Sequence, residues 1–462
     1  MNAIILSALA GVVMMLSGIF TNKQSVIKLV SIIALLVLIT GNVLQTYGHC
    51  SIQIDTKNLL AFSKAGLYFN TLIFISTFVY FILSGKAIEK AGVNVAEYFA
   101  LIFFVLCGVS ILTSFNGLLM FFLGIEILSI PLYILTGSDK RNLKSNEASL
   151  KYFLMGSFST GLMLMGIALV FGATGNFSLN ATGQKTAYDV INAGILAPVG
   201  LLFIFISMLF KVSAAPFHFW TPDVYDGAPS VFTSFMSTIV KAAGFYAFIH
   251  LFETKSYDLG PSWKLLLTFA IVLTLLVGNI TAIFQHSVKR MLAYSSISQA
   301  GFMLFSLYSS NTLAKEGIFI YTVAYSFATI GVFAILIYLK DYTFDGYNGL
   351  AKTQPVLAFT NTVFLLSLAG IPLTAGFFGK YFMLASAVKA GAPLMLVIVA
   401  VLFAAISVYY YFKVIQAMYF KQGDAELNDS VPTSFKTALI AIAIVIILVG
   451  IFPSTVLNWL YF

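Results

Sequence analysis

The chain has 462 residues, of which 60% are hydrophobic and only 9% are charged. Soluble proteins carry about 25% charged residues, so this composition excludes a soluble enzyme and indicates a polytopic membrane protein surrounded by lipid. The net charge of +8 is spread over loops and single positions, and without a basic stripe it gives no reason to expect a nucleic-acid partner.

Apolar runs long enough to cross a bilayer recur along the chain, so we predict an all-α membrane protein with about 14 transmembrane helices. The first run, MNAIILSALAGVVMMLSGIF, lacks the basic start of a cleaved signal peptide and is predicted to be a retained span. The predicted spans cover 3–21, 25–45, 66–84, 97–114, 116–136, 149–172, 195–213, 229–252, 263–285, 289–309, 316–339, 357–388, 392–419 and 433–456.

The distribution of basic residues predicts the orientation of these spans. Lysine and arginine are more frequent in the loops after odd-numbered spans, for example Lys140, Arg141 and Lys144, than in the loops after even-numbered spans. Because basic residues accumulate in cytoplasmic loops, the odd loops are predicted to be cytoplasmic and both termini to lie outside.

Two segments of the chain resemble each other, FKVSAAPFHFW at 210–220 and GIPLTAGFFGKYF at 370–382. Each combines a Ser/Thr–Ala step, a helix break, aromatic residues and a lysine. They lie on the seventh and twelfth predicted spans, so the two copies face opposite ways across the bilayer. Inverted repeats with interrupted helices are typical of transporters, and we predict breaks at Ser213–Pro216 and Pro372–Gly376.

Several charged residues fall inside the apolar runs. Glu126 in FLGIEILSIPL and Lys241 in SFMSTIVKAAGFYAF lie mid-span, where a charge costs about 2.5–3.5 kcal/mol on insertion scales. Lys211 precedes the first predicted break and Lys380 follows the second. Charges placed at such a cost are expected to be paired, hydrated or functional.

Other charged residues are open to more than one interpretation. Lys151, Lys289 and Arg290 each open a span, so they fit snorkelling anchors at the membrane surface as well as groups on an ion path. His218 fits either a satisfied core histidine or part of a proton wire. Lys413, in YYYFKVIQAMYF, is predicted to be an interfacial anchor within an aromatic belt.

Buried lysines next to a carboxylate can bind and release protons, because burial favours the neutral amine and the carboxylate favours the ammonium. Glu126 is the only mid-span acid in the first half, so a Glu126–lysine pair is the expected switch. The expected route continues through Lys211 and Lys241 to Lys380. Water would fill the gaps together with polar side chains, which are Ser237, Thr238, Tyr294, Ser295, Ser298, Gln299 and Tyr325.

No motif in the chain indicates other chemistry. It has no phosphate-binding glycine loop, no CxxC, no HExxH and no nucleophile elbow. Cys50 and Cys107 are the only cysteines, which predicts neither a disulfide framework nor a metal cluster. Any redox energy is therefore expected to come from another chain.

The run PFHFWTPDVYDGAPSVFTSFMSTIVKAAGF makes a resemblance specific. It resembles the antiporter-like membrane subunits of respiratory complex I, and among them the N-type subunit, called subunit 2 in mitochondria and chloroplasts. SNEASLKYFLMGSFST, FLGIEILSIPLYIL, HSVKRMLAYSSISQAGFML and AGIPLTAGFFGKYFM are similar to the sixth, fifth, tenth and twelfth helices of that subunit. The resemblance covers most of the chain and is strongest from Leu118 to Phe382.

This resemblance implies a 14-helix subunit with two inverted five-helix repeats and interrupted helices 7 and 12. It divides the chain into three N-terminal helices (1–96), helices 4–8 (97–255), helices 9–13 (256–420) and helix 14 (421–462). Carried over position by position, it implies a proton path formed by Glu126, Lys151, Lys211, Lys241 and Lys380. Its implied helpers are His218, Lys289 and Tyr294.

The resemblance also implies a setting for the chain. The chain would be a non-redox subunit of an NADH:quinone oxidoreductase, holding no cofactor or metal, with FMN, iron–sulfur clusters and quinone in partner subunits. Its neighbours would be an antiporter-like M-type subunit and the small K- and J-type subunits. Lys380 stands where the M-type sibling usually has glutamate. The three N-terminal helices, which the animal mitochondrial version lacks, favour a bacterial inner membrane, with the plastid thylakoid membrane as the alternative.

Two other functions are compatible with the sequence. A subunit of a multi-subunit cation/proton antiporter shares the fold and several of the lysines. A solute transporter or a structural scaffold belongs to a different class, but a transporter would need a roomy aromatic-lined pocket, and the sequence offers a series of titratable groups instead.

Overall fold

The computed structural model describes residues 1–21, 23–52, 54–92, 94–179, 194–253 and 261–461. Within these ranges the chain is almost wholly helical, and its few extended pairs are isolated bridges such as Gly117 with Ser178. A helix is the element expected here, because it satisfies its backbone hydrogen bonds without water. The helices are α1 (Asn2–Phe20), α2 (Gln24–Thr46), α3 (Lys64–Lys90), α4 (Val95–Leu112), α5 (Leu118–Thr136), α6 (Leu143–Thr174), α7 (Leu196–Lys211), α8 (Trp220–Gly227), α9 (Ser230–Phe235), α10 (Lys241–Glu253), α11 (Pro261–Ile283), α12 (Val288–Ser309), α13 (Thr312–Tyr338), α14 (Leu350–Thr353), α15 (Pro355–Ala369), α16 (Ala375–Lys389), α17 (Leu394–Phe420), α18 (Thr433–Ile451) and α19 (Ser454–Tyr461).

Among the described residues, 11 spans are long and apolar enough to cross a membrane. One of them, Ser230–Phe252, combines α9, a π-helical turn (Met236–Val240) and α10. The predicted all-helical, polytopic architecture is therefore confirmed. Fewer than 14 spans meet this requirement because α7 and α15 end early at helix breaks and α12 carries several serines and two basic residues. The count of 14 and the two inverted repeats stay predictions.

The chain divides into two compact units, each of which is described by itself. Unit 1 comprises Met1–Phe78, Ile88–Val212 and Val240–Pro261, and unit 2 comprises Val79–Ala87, Ser213–Ile239 and Ser262–Phe462. The predicted domain boundaries after residues 96, 255 and 420 follow the numbering of helices rather than compactness, and they stay predictions.

Small residues allow the helices of unit 1 to approach closely. A Cβ on Gly166 of α6 would lie 2.5 Å from the carbonyl oxygen of Gly200 on α7, and a Cβ on Gly200 would lie 2.6 Å from that of Gly166. Similarly, a Cβ on Gly108 of α4 would lie 2.7 Å from the backbone nitrogen of Leu128 on α5. Such contacts hold α5 and α7 in fixed positions, as small residues do at helix crossings in membranes.

Unit 2 is built around α13, which is almost wholly buried and packs against α12, α15 and α16. α12 also packs against α8. These helices bring buried polar side chains of α12 and α13 close to the second helix break.

The two helix breaks lie close to the predicted positions. α7 ends at Lys211 and α8 begins at Trp220, so the predicted break at Ser213–Pro216 lies inside the interruption, where Ser213 has φ 63°. The second interruption covers 370–374 rather than Pro372–Gly376. It starts earlier because Gly370, with φ 83°, ends α15 in the left-handed conformation that glycine favours after a helix.

Candidate functional site

Lys211 of unit 1 is hydrogen-bonded to a serine hydroxyl of α5. Its Nζ donates a hydrogen bond to Oγ of Ser129 on α5 at 2.7 Å. Ser129 is fully buried and donates its own proton to the carbonyl oxygen of Ile125. Glu126 lies one turn before Ser129, and its Oε1 is buried without a hydrogen-bond partner in the described part of the chain.

Side-chain contacts hold both helices of this cluster in place. Ser207, one turn before Lys211 on α7, donates to the carbonyl of Ser159 on α6 at 2.8 Å. On α5, the ring of Tyr133 packs edge-on against Tyr152 of α6 with ring centroids 4.8 Å apart. The ammonium of Lys211 is therefore presented to α5 from a fixed backbone.

Lys151 and Lys241 occupy contrasting environments in unit 1. Lys151 pairs with Glu147 one turn earlier on α6 at 2.8 Å, and 42% of its side chain is exposed. An ion pair as exposed as this contributes at most about 1 kcal/mol in water. Lys241 is 2% exposed and follows directly after the π-helical turn Met236–Val240, a type of irregularity that is frequent at functional sites.

Lys380 of unit 2 lies on α16, which begins directly after the second helix break, and it is five residues from the start of that helix. Its Nζ donates to the carbonyl oxygen of Ala369 at 2.9 Å and lies 4.9 Å from the ring centroid of Phe302. The side chain borders a small cavity of about 10 Å³. The cavity is lined by Gln299, Tyr321, Ala324, Tyr325, Ser367, Leu368, Gly376 and Lys380.

A buried polar network adjoins this cavity and is centred on Gln299. Its Nε2 donates to the carbonyl of Leu368 at 3.0 Å and to the hydroxyl of Tyr411 at 3.1 Å, and its Oε1 accepts from the hydroxyl of Tyr321. Tyr411 also shares a hydrogen bond with Ser295. The cavity has room for about one water molecule, which would find several hydrogen-bonding partners among these groups. The arrangement places groups that can donate and accept protons beside Lys380.

Among the three predicted helper residues, Lys289 makes two hydrogen bonds to the main chain. Lys289 of α12 is 5% exposed, and its Nζ donates to the carbonyls of Asp226 at 2.8 Å and Ala228 at 2.6 Å. It therefore holds the C-terminal end of α8 and the residue after it, and it is not an exposed anchor. The neighbouring Arg290 donates to Asp223 at 3.0 Å.

The structure gives less support for His218 and Tyr294 as helper residues than for Lys289. His218 is 7% exposed, and within the described residues its Nδ1 is buried without a hydrogen-bond partner. Its ring lies beside that of Phe219 with centroids 4.5 Å apart. Tyr294 is partly exposed on α12. For all eight residues, the role on a proton path stays a prediction.

Sequence reasoning missed three residues, namely Ser129, which binds Lys211, and Tyr321 and Tyr411, which bind Gln299. The spacing of Ser129 gave a usable signal, because a residue three positions after Glu126 shares its helix face. Tyr411 was assigned to an interfacial aromatic belt, which is wrong because its side chain is fully buried. Its neighbour Tyr410 is also fully buried and donates to Asn279 at 3.2 Å.

Comparison with known proteins places this geometry in context. Residues 116–407 match the family described as NADH:quinone oxidoreductase/Mrp antiporter, TM. NADH-quinone oxidoreductase subunit N from Cytophaga hutchinsonii is 40% identical over 468 residues, covering 99% of each chain. A chain of respiratory complex I from Thermus thermophilus is 30% identical with a TM-score of 0.84, covering 99% of this chain and 98% of that one. A chain of the Mrp complex from Dietzia sp. has a TM-score of 0.82 at 16% identity, with 99% and 95% covered, and shows the shared fold alone.

Proposed function

The chain belongs to the NADH:quinone oxidoreductase/Mrp antiporter family, and from this premise we propose that it is a proton-translocating membrane-arm subunit of a bacterial NADH-quinone oxidoreductase. The observation that carries the proposal is the 40% identity to a subunit N over 99% of both chains. The buried lysines, with Lys211 bonded to Ser129 and Lys380 bonded to the carbonyl of Ala369, supply groups that can hold and pass a proton.

In unit 1 the proposed step takes place between Glu126 and Lys211. The ammonium moves from the hydroxyl of Ser129 to the carboxylate and back, and it holds its proton more strongly when the carboxylate is near. Moving a proton against 100 mV costs about 2.3 kcal/mol. A hydrogen bond to a charged group contributes about 1.5–3 kcal/mol, so exchanging one such partner has the required size.

Lys241 and Lys380 continue the proposed path, and Lys151 stands at its start on α6. In unit 2, Lys380 exchanges protons with water in the cavity beside Gln299 and Tyr325. The occurrence of a lysine beside a helix break in both units supports two inverted five-helix repeats within a 14-helix subunit. His218, Lys289 and Tyr294 would assist, Lys289 by holding the C-terminal end of α8.

The proposal places electron transfer outside this chain. FMN, iron–sulfur clusters and quinone would be held by partner subunits, and quinone reduction there would drive the proton steps here. The proposed neighbours are an antiporter-like M-type subunit and the small K- and J-type subunits. The chain would cross the bacterial inner membrane with both termini outside.

A subunit of a multi-subunit cation/proton antiporter is the second candidate function. The observation in its favour is the fold shared with the Mrp chain from Dietzia, which at 16% identity says nothing about activity. The two functions differ in their partners and in their source of energy.

Purification of the tagged chain from its membrane tests the proposal. We expect it to bring down chains that contain flavin and iron–sulfur clusters, and we expect inverted membrane vesicles to take up protons during NADH oxidation. Lys211→Met and Glu126→Gln should lower proton uptake while the complex still assembles. Assembly with antiporter subunits alone, without NADH oxidation, would contradict the proposal, as would normal proton uptake in both variants.

A further inference from the structure

Two acceptor side chains lie one turn apart on α5, and Lys211 is bonded to one of them, Ser129. The ammonium donates to Oγ of Ser129 at 2.7 Å, whereas Oε1 of Glu126 is buried without a hydrogen-bond partner in the described ranges. Residues three apart on a helix share a face, so both acceptors lie on the same side of α5. A carboxylate is the stronger acceptor for an ammonium, so the use of the hydroxyl requires a physical reason.

That reason lies in the hydrogen bond that the hydroxyl of Ser129 already donates within α5. Ser129 is fully buried, and its single proton is given to the carbonyl oxygen of Ile125. A hydroxyl has one proton and two lone pairs, so Ser129 is left with acceptor capacity only. The ammonium uses this acceptor capacity, and the hydrogen bond holds the ammonium at this turn of α5.

The backbones on both sides of the contact are held in place. Ser207 and Ser159 join α7 to α6 through their hydroxyls, whose oxygens are 3.0 Å apart. Gly108 brings α4 directly against the backbone of α5 at Leu128. Rotation of the Lys211 side chain, rather than movement of a helix, is therefore the way in which its acceptor changes.

We propose that Ser129 is a positioning residue that holds the ammonium of Lys211 apart from Glu126 when the switch is at rest. This inference rests on the proposed proton-transfer function and deepens it. The pair between Glu126 and Lys211 is open at rest, and closing it means replacing the hydroxyl by the carboxylate. Ser129 keeps its hydrogen bond to Ile125 throughout and does not itself carry the proton.

The variant Ser129→Ala tests this role in the assembled complex. Loss of one hydrogen bond to a charged group is expected to shift Lys211 towards Glu126 by about tenfold in population. A density map should then show Nζ of Lys211 at the carboxylate, and fewer protons should be pumped for each NADH oxidised. Ser129→Thr should restore both readouts, because a threonine hydroxyl also bonds the carbonyl one turn earlier.

Ser76 provides a matched control in the same unit. It is fully buried on α3, and its hydroxyl donates to the carbonyl of Leu72 at 2.8 Å, as that of Ser129 does to Ile125. Ser76→Ala removes the same group without a lysine partner, so the position of Lys211 and the proton yield should stay unchanged. If Ser129→Ala does not assemble, Ser129→Cys replaces it, because a thiol of similar size is a weak acceptor.

The outcomes separate this inference from the proposed function. If Lys211 stays away from Glu126 in the alanine or cysteine variant, or if Ser129→Thr assembles without restoring the proton yield, the positioning role is wrong. If Lys211 moves as expected but Lys211→Met pumps protons normally, the proposed function fails and the positioning of Lys211 by Ser129 stands.

Discussion

Lys211 and Lys380 both lie beside a helix break, but their surroundings differ. Lys211 is partly exposed, is bonded to the side chain of Ser129, and has Glu126 one turn away from that acceptor. Lys380 is 7% exposed, is bonded to the main-chain carbonyl of Ala369 and faces the ring of Phe302.

The difference lies in what the break supplies to each lysine. The last carbonyls of a helix have no donor within the helix, and the carbonyl of Ala369 at the end of α15 is given one by Lys380. The position of Lys380 is therefore set by the break itself. Lys211 is the last residue of its own helix and takes its acceptor from α5, so it can exchange that acceptor by changing its rotamer.

Replacing each lysine by arginine should give the largest effects and sharpen this contrast. Arginine keeps the positive charge but does not release its proton in proteins, so both Lys211→Arg and Lys380→Arg should lose about 100-fold in coupled proton transfer. Lys211→Arg should still assemble because its site is partly exposed. Lys380→Arg should also reduce assembly, since a guanidinium is too large for the buried space between Ala369 and Phe302.

The control for these variants is Lys413→Arg. Nζ of Lys413 lies 4.2 Å from the ring centroid of Phe344, a contact that arginine also makes. Proton uptake in inverted vesicles and the yield of intact complex on a native gel are the two measurements. Equal assembly of the two path variants would remove the proposed distinction between a mobile and a fixed lysine.

A smaller effect is expected from Gly376→Ala, in the first turn of α16 directly after the second helix break. A Cβ at Gly376 would overlap the carbonyl oxygen of Ser367, so the start of α16 must shift. Overpacking of this kind costs about 1–3 kcal/mol, and the shift should displace Lys380 from Ala369. We expect a lower temperature of complex dissociation in detergent and slower proton transfer. Gly161→Ala on α6, where a Cβ meets nothing within 4 Å, should change neither, and equal losses in the two variants would contradict the assigned role of the break.

Much of this contrast can be anticipated from the sequence. Long apolar runs predict membrane helices, and charges such as Glu126 and Lys241 are conspicuous because a charge in the middle of an apolar run is costly. The first helix break follows from Pro216, which cannot continue a helix with normal hydrogen bonds. The second was placed two residues late, because Pro372 is a stronger sequence signal than Gly370, whose left-handed conformation actually ends α15.

The partners of the lysines are not contained in the sequence pattern. Lys211 is 82 residues away from Ser129 along the chain, and composition says nothing about which of many serines lies opposite. Aromatic residues mislead for a related reason: the run YYYFK resembles a surface belt, yet Tyr411 hydrogen-bonds Ser295 in the interior. Only the packing of α17 against α12 decides between the two.

The smallest expected effect concerns the ring that faces Lys380. Phe302→Leu removes a contact between ammonium and ring that contributes up to about 2 kcal/mol where water is excluded, while the hydrogen bond to Ala369 remains. Proton transfer should therefore change by only about 30-fold or less. Phe305→Leu is the matched control, because Phe305 is equally buried on the same helix and loses a similar amount of packing. If both variants slow proton uptake in vesicles equally, the ring of Phe302 contributes only packing, and the carbonyl of Ala369 alone positions Lys380.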